Sequence, residues 1–113
     1  MPDVAQIAAA IAADPDLRAK TKAWLTALSR HKYVYQFTWM GVPVIQAPQD
    51  IVALQELVWK VRPQVVVETG VAHGGSLIFY ASMLRLLGGE REVIGIDIDI
   101  RDHNRAAIEG HAL

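Results

Sequence analysis

Two acids, three glycines and a serine carry the chemistry of this 113-residue chain. Glu68 ends the apolar, β-branched run Val65-Val66-Val67. Gly70, Gly74 and Gly75 follow it, and Ser76 opens an apolar segment of helical spacing. That order reads as a buried parallel strand, a glycine-rich turn and a helix N-terminus. Glycine has no Cβ and takes φ > 0, so such a turn lets a ligand come close to the backbone. The free N–H groups at the helix start then suit an anionic group. Further on, Val93-Ile94-Gly95-Ile96-Asp97 is a second strand ending in an acid. A carboxylate takes two hydroxyl donors at once, so Asp97 suits the 2′ and 3′ hydroxyls of a ribose. The plainer roles for Asp97 are a helix cap or a loop salt bridge. Glu68 fits three roles: organiser of the loop N–H groups, partner of a cationic ligand, or structural tie. His73, inside the loop beside Ala72, could stack on a cofactor, act as a base, or only fill the loop.

These residues need strands and helices to hold them. Residues 3–13 place Val4, Ile7, Ala8 and Ile11 at helical spacing behind Asp3 as N-cap. Asp14-Pro15-Asp16 breaks that helix, and a second runs from about 16 to 31. Leu17, Trp24, Leu25 and Leu28 form its apolar stripe. Arg18, Lys20, Lys22 and Arg30 read as a solvated face in preference to a phosphate patch. Residues 33–39 alternate, with Tyr33, Tyr35, Phe37 and Trp39 on one side of an extended segment. Their aromatic face fits a pocket wall, a lid packed on the core, or a subunit contact. Gly41 and Pro43 are expected to force turns.

A third helix is expected from Pro48-Gln49-Asp50, with Asp50 as N-cap and Ile51, Leu54, Leu57, Val58 and Val61 buried. Pro63 ends it. The strand at 65–67 lacks alternation, which predicts cover on both faces. Helix 76–87 is expected to turn Leu77, Ile78, Ala81, Leu84 and Leu87 inward, and Gly88-Gly89 to stop it. Strand 92–97 follows, then Asp102 as cap of a helix over 103–109. A right-handed crossover puts Glu68 and Asp97 on one edge of the sheet. The organisation expected is an N-terminal helical and extended lid segment, 1–47, and the first part of a Rossmann-like domain, 48–113.

Composition narrows the classes. At 52% apolar the chain can bury a core, and its formal charge of −1 leaves no electrostatic footprint for nucleic acid or an anionic membrane. It has no cysteine, which excludes disulfides and thiolate chemistry and fits a cytoplasmic setting. Asp3 without a basic run before it is no secretory signal, and no apolar run approaches the ~18–20 residues of a membrane helix. Two parallel strands are fewer than a doubly wound sheet of about five or six needs. The expectation is therefore part of a larger polypeptide, with an open strand edge that could also pair copies into a homo-oligomer.

Spacing separates the cofactors. A dinucleotide turn is G-x-G-x-x-G. Here position 72 is Ala, and Glu68 stands before the first glycine. E-x-G-x-x-x-G-x-S fits the S-adenosylmethionine (SAM) turn of O-methyltransferases better, and no Walker pattern is present. The segments Trp39-Met-Gly41-Val-Pro43, Gln46-Ala-Pro48-Gln-Asp50, Glu68-Thr-Gly-Val-Ala-His-Gly-Gly-Ser76 and Ile94-Gly-Ile-Asp-Ile-Asp-Ile-Arg101 resemble the cephalosporin hydroxylase family. The chain is similar also to rhamnosyl O-methyltransferases over about residues 33–112. The resemblance implies an α/β, Rossmann-like class I methyltransferase, represented by its N-terminal portion: leading helices and the first β-α-β unit of a parallel sheet. It implies SAM as cofactor, Mg²⁺ to hold a substrate hydroxyl, a small-molecule or sugar acceptor, and a place in lipid or antibiotic biosynthesis. On that resemblance Glu68 and Gly70 line the SAM site, Gly74, Gly75 and Ser76 hold the methionine end, and Asp97 takes the ribose. The family's metal-binding acids belong to later strands, so none is carried over. Asp99 and Asp102 read as cap or surface residues. His31, His103 and His111 form no H-x-D/E pair, which leaves a hydroxylase's iron triad without candidates. Methyl transfer by these residues alone is not expected.

Overall fold

The computed structural model describes residues 2–113; residue 1, where the expected segment 1–47 begins, lies outside them. The chain forms two compact units that divide after Tyr33. The first holds α1 (Val4–Ala13) and α2 (Pro15–Ser29). Asp3 caps α1 by accepting from the Ala5 N–H at 2.9 Å. Asp14 both ends α1 and caps α2, accepting from the N–H groups of Asp16 and Leu17 at 2.9 and 3.1 Å. Pro15 fits the first turn because its missing N–H would have no partner there. Neither helix holds a buried residue. The apolar stripe of Ile7, Ile11, Leu17, Trp24 and Leu25 stands exposed.

The second unit begins with a correction. Tyr33–Tyr35 is a turn of 3₁₀ helix, so only Phe37 and Trp39 of the expected aromatic face lie on a strand. That strand, β1 (Phe37–Trp39), pairs antiparallel with β2 (Val42–Val44). Met40 and Gly41, with φ of 48° and 84°, make the two-residue turn between them. Two successive left-handed residues match the twist of a tight hairpin. Pro43, expected in a turn, sits in β2 instead, where a two-stranded ribbon leaves it an edge.

Next come α3 (Pro48–Val61), β3 (Val65–Thr69), α4 (Gly75–Leu87), β4 (Glu92–Ile96) and α5 (Asp102–Glu109). Two expected caps move. Ala47 holds the cap position of α3 and Arg101 that of α5, while Asp50 and Asp102 lie within the first turns. Both acids still face the positive end of their helix. Of the expected α3 face only Val58 is buried, and Leu57 and Val61 are exposed.

The core lies around α4. Strands β3 and β4 are parallel, with Glu68 opposite Gly95 and Thr69 opposite Ile96. Gly95 lets α4 lie close, since a Cβ there would stand 2.7 Å from Leu77 Cδ1. Only that face of the sheet is covered. Val65, Val67, Ile94 and Ile96 are exposed, so the expected cover on both faces is not found among the described residues. The hairpin supplies a second partner for α4. The Trp39 Nε1–H donates to Ser82 Oγ at 2.9 Å, and its ring meets Phe79 edge-on with centroids 5.0 Å apart. This explains why Phe79, outside the expected inward set, is the most buried residue, at 0% exposure. The hairpin packs on α4, and the compact division falls before it, after Tyr33. At the far end of the sheet, the Arg91 guanidinium donates to the carbonyls of Arg62, Pro63 and Gly88 and fastens both strand starts.

Candidate functional site

The β3 ladder runs one residue past Thr69, because the Gly70 N–H donates to Ile96 O at 2.8 Å. The loop then folds through three left-handed residues: Gly70 at φ 84°, Ala72 at 49° and Gly74 at 90°. Asp97, one residue beyond β4, holds it. Its Oδ2 accepts from the N–H groups of Val71 and Ala72 at 2.7 and 3.4 Å, and its Oδ1 from that of Asp99 at 3.3 Å. These bonds, the Val71 one foremost, keep the Asp97 carboxyl below the usual carboxylate range. On the other side Asn104 of α5, buried at 9% exposure, donates from Nδ2 to Ala72 O at 3.2 Å.

Glu68 lives differently. Ser76 Oγ donates to its Oε1, while its Oε2 is buried and has no partner among the described residues. Burial pushes the Glu68 carboxyl up, and the Ser76 bond opposes that in part. Burial, with the nearby Glu68 charge, also raises the Tyr80 hydroxyl.

The three glycines do separate jobs. A Cβ on Gly70 would meet nothing within 4 Å, so this residue opens onto free space. One on Gly74 would strike the Ile108 side chain of α5. One on Gly75 would strike Pro43 O and come 2.7 Å from Val44 Cα. Gly74 and Gly75 thus serve close packing of chain on chain, while Gly70 leaves its side of the loop open.

A cleft of about 230 Å³ lies over the loop. Glu68, Gly70, Ala72, His73, Gly75 and Ser76 line it, joined by Pro43, Ile45 and Gln46 from the β2–α3 connection. Six residues singled out from sequence therefore meet in one place. Gly74 and Asp97 do not line the cleft; they shape the loop, Asp97 through its bonds to Val71 and Ala72 and Gly74 through its left-handed backbone. Sequence reasoning missed the wall from the β2–α3 connection, although Gln46 stands in one of the segments that carry the resemblance. It missed Asn104 too. The signal was there: Asn104 sits one turn before Ile108, on the same face of α5. Asp99, Asp102 and His103 are exposed. His111 Nε2 lies 3.1 Å from Met40 O and ties the residues after α5 to the hairpin turn. Among the described residues no group of three His, Asp or Glu could hold a metal ion. The side chains present therefore do not fit a magnesium site.

A parallel strand-helix-strand unit, with an acid near the end of each strand and a glycine turn between, is the opening part of a Rossmann-like fold. Residues 31–113 match the family described as Rhamnosyl O-methyltransferase/CmcI, and this chain belongs to it. A rhamnosyl O-methyltransferase of Mycobacterium leprae is 31% identical over 83 residues, which is 68% of this chain and 36% of that protein. One from Mycobacterium tuberculosis (strain ATCC 25618 / H37Rv) is 29% identical over 73 residues, 59% of this chain and 30% of that one. The solved structure described as cmcI-N160 SAH superposes with a TM-score of 0.53 at 30% identity, covering 60% of this chain and 38% of its own. The chain thus spans about a third of the length of the relatives it matches.

Proposed function

We propose that this chain is the cofactor-binding portion of a SAM-dependent O-methyltransferase. The observation that carries the reading is the buried, unpartnered Glu68 Oε2 in a cleft whose neighbouring Gly70 opens to free space. An orphaned carboxylate oxygen calls for a donor, and the ammonium of an amino-acid ligand is one. The first N–H groups of α4, at Gly75 and Ser76, suit the carboxylate of that same ligand end. Asp97 keeps acceptor capacity on Oδ1 for a ribose hydroxyl. Ala72 and His73 form the loop wall, and Gly74 sets its curve. Bound SAM would supply an electrophilic methyl group to an acceptor hydroxyl; the residues named here bind and orient it. The solved relative described with SAH (S-adenosylhomocysteine) supports the choice of adenosyl ligand.

The acceptor in this reading is a small molecule, a sugar hydroxyl among the candidates, with Mg²⁺ held by residues outside this chain. The setting in this reading is cytoplasmic, with lipid or antibiotic biosynthesis as the context. Among the described residues no helix is long and apolar enough to cross a membrane. Nucleic acid is not among its partners, and the open edges of the β3–β4 sheet suit a homo-oligomer. Titration calorimetry with SAH tests the reading. Saturable binding is expected. Binding of NAD(P) with no response to SAH would replace it with a dinucleotide site.

A further inference from the structure

The loop from Gly70 to Gly74 spends nearly all of its backbone donors inside the protein. The Gly70 N–H goes to Ile96 O, those of Val71 and Ala72 to Asp97, and that of Gly74 to Val71 O. The His73 N–H alone has no bond among the described residues, and His73 lines the cleft. What aims that donor is the peptide joining Ala72 to His73. A trans peptide is planar, so its C=O and N–H point opposite ways. Asn104 takes the C=O toward α5, and the His73 N–H therefore points away from α5. Ala72 pays for this with φ of 49°, a left-handed backbone that costs a residue with a Cβ about 1 kcal/mol or more. Strain of that kind persists only where neighbours impose it. Here Asp97 grips one side of Ala72 and Asn104 the other.

We propose that Asn104 is a positioning residue for ligand binding: it fixes the Ala72–His73 peptide so that the His73 N–H is presented to an acceptor atom of the ligand. The inference rests on the adenosyl-ligand reading above and names a residue outside the cleft. Asn104 does not line the cleft, and its amide serves the loop.

The test measures SAH affinity and melting temperature together. Asn104→Ala is expected to weaken SAH binding by about fivefold to tenfold, the worth of about one hydrogen bond. Leu84→Ala, a core change on α4 away from the cleft, is expected to lower the melting temperature while leaving SAH affinity within about twofold. That contrast separates positioning from stability. Equal SAH affinity in Asn104→Ala and the wild-type chain would overturn the inference alone. No SAH binding by the folded wild-type chain would overturn the adenosyl reading and this inference with it. Should Asn104→Ala not fold, the wild-type amide spectrum decides. Added SAH is expected to shift the His73 N–H signal more than that of Ala72, and an unmoved His73 signal would overturn the proposal.

Discussion

Glu68 and Asp97 end neighbouring parallel strands, yet their carboxyl groups meet opposite surroundings. Asp97 accepts from three backbone N–H groups and is held below its ordinary pKa. Glu68 is half-buried, with its Oε2 enclosed and orphaned, and is pushed above its ordinary pKa. The difference teaches a division of labour. Asp97 organises the loop through its backbone N–H groups, and Glu68 keeps one oxygen wholly uncommitted. It also sets opposite pH behaviour. The lowered pKa of Asp97 means that the folded state prefers its carboxylate. Its contribution is complete above the ordinary carboxylate range and is lost as pH falls through the folded value. Glu68 reverses this. Its charged form costs stability at neutral pH, and the cost is relieved as pH falls through its raised value.

The contrast breaks most visibly at Asp97. Asp97→Ala removes the loop's organiser and the proposed ribose acceptor together, so SAH affinity measured by calorimetry is expected to fall about a hundredfold. A loss of less than threefold would mean that the loop keeps its shape without this acid. The glycines repeat the contrast between built and open. Gly75→Ala drives a Cβ into the backbone of β2 and is expected to cost about 3 kcal/mol in denaturant unfolding. Gly70→Ala meets no atom and is expected to cost about 1 kcal/mol, from its φ of 84° alone. Similar losses for the two would dissolve the distinction. The smallest effect sharpens the comparison of the acids themselves. Glu68→Gln keeps an acceptor for Ser76 and removes the buried charge. A slightly higher melting temperature at pH 7 is expected, with the advantage vanishing as pH falls toward the ordinary carboxylate range. SAH binding in the same variant is expected to weaken. A lower melting temperature at pH 7 would show that the charge is already compensated.

Much of this site was legible from residue order. The strand, turn and helix from Val65 to Leu87 follow from a β-branched run, clustered glycines and a 3.6-residue period. Each is a local signal that a short window carries. The misreadings share one cause. The apolar run of β3 predicted cover on both faces, Leu57 and Val61 predicted burial, and Phe79 was left out of the core. All three depend on which distant element packs where. Asp50 and Asp102 lose the cap positions to Ala47 and Arg101, three residues and one residue earlier, because the helices start at Pro48 and Asp102.

Sequence by itself determined the chemistry available at the two strand ends: acids after β-branched runs, and a glycine turn whose spacing is not that of a dinucleotide site. Residue types and their separations along the chain suffice for that, because a parallel crossover has one hand and brings both strand ends to one edge. Tertiary structure alone decided which acid is tied to the loop backbone and which keeps an unpaired oxygen. It also decided that Gly70 faces open space, that the β2–α3 connection walls the cleft and that Asn104 holds the loop. Those assignments turn on contacts between residues about thirty positions apart, such as Asn104 with Ala72 and Gly75 with Pro43. No local pattern encodes the distance between two backbones once they are packed.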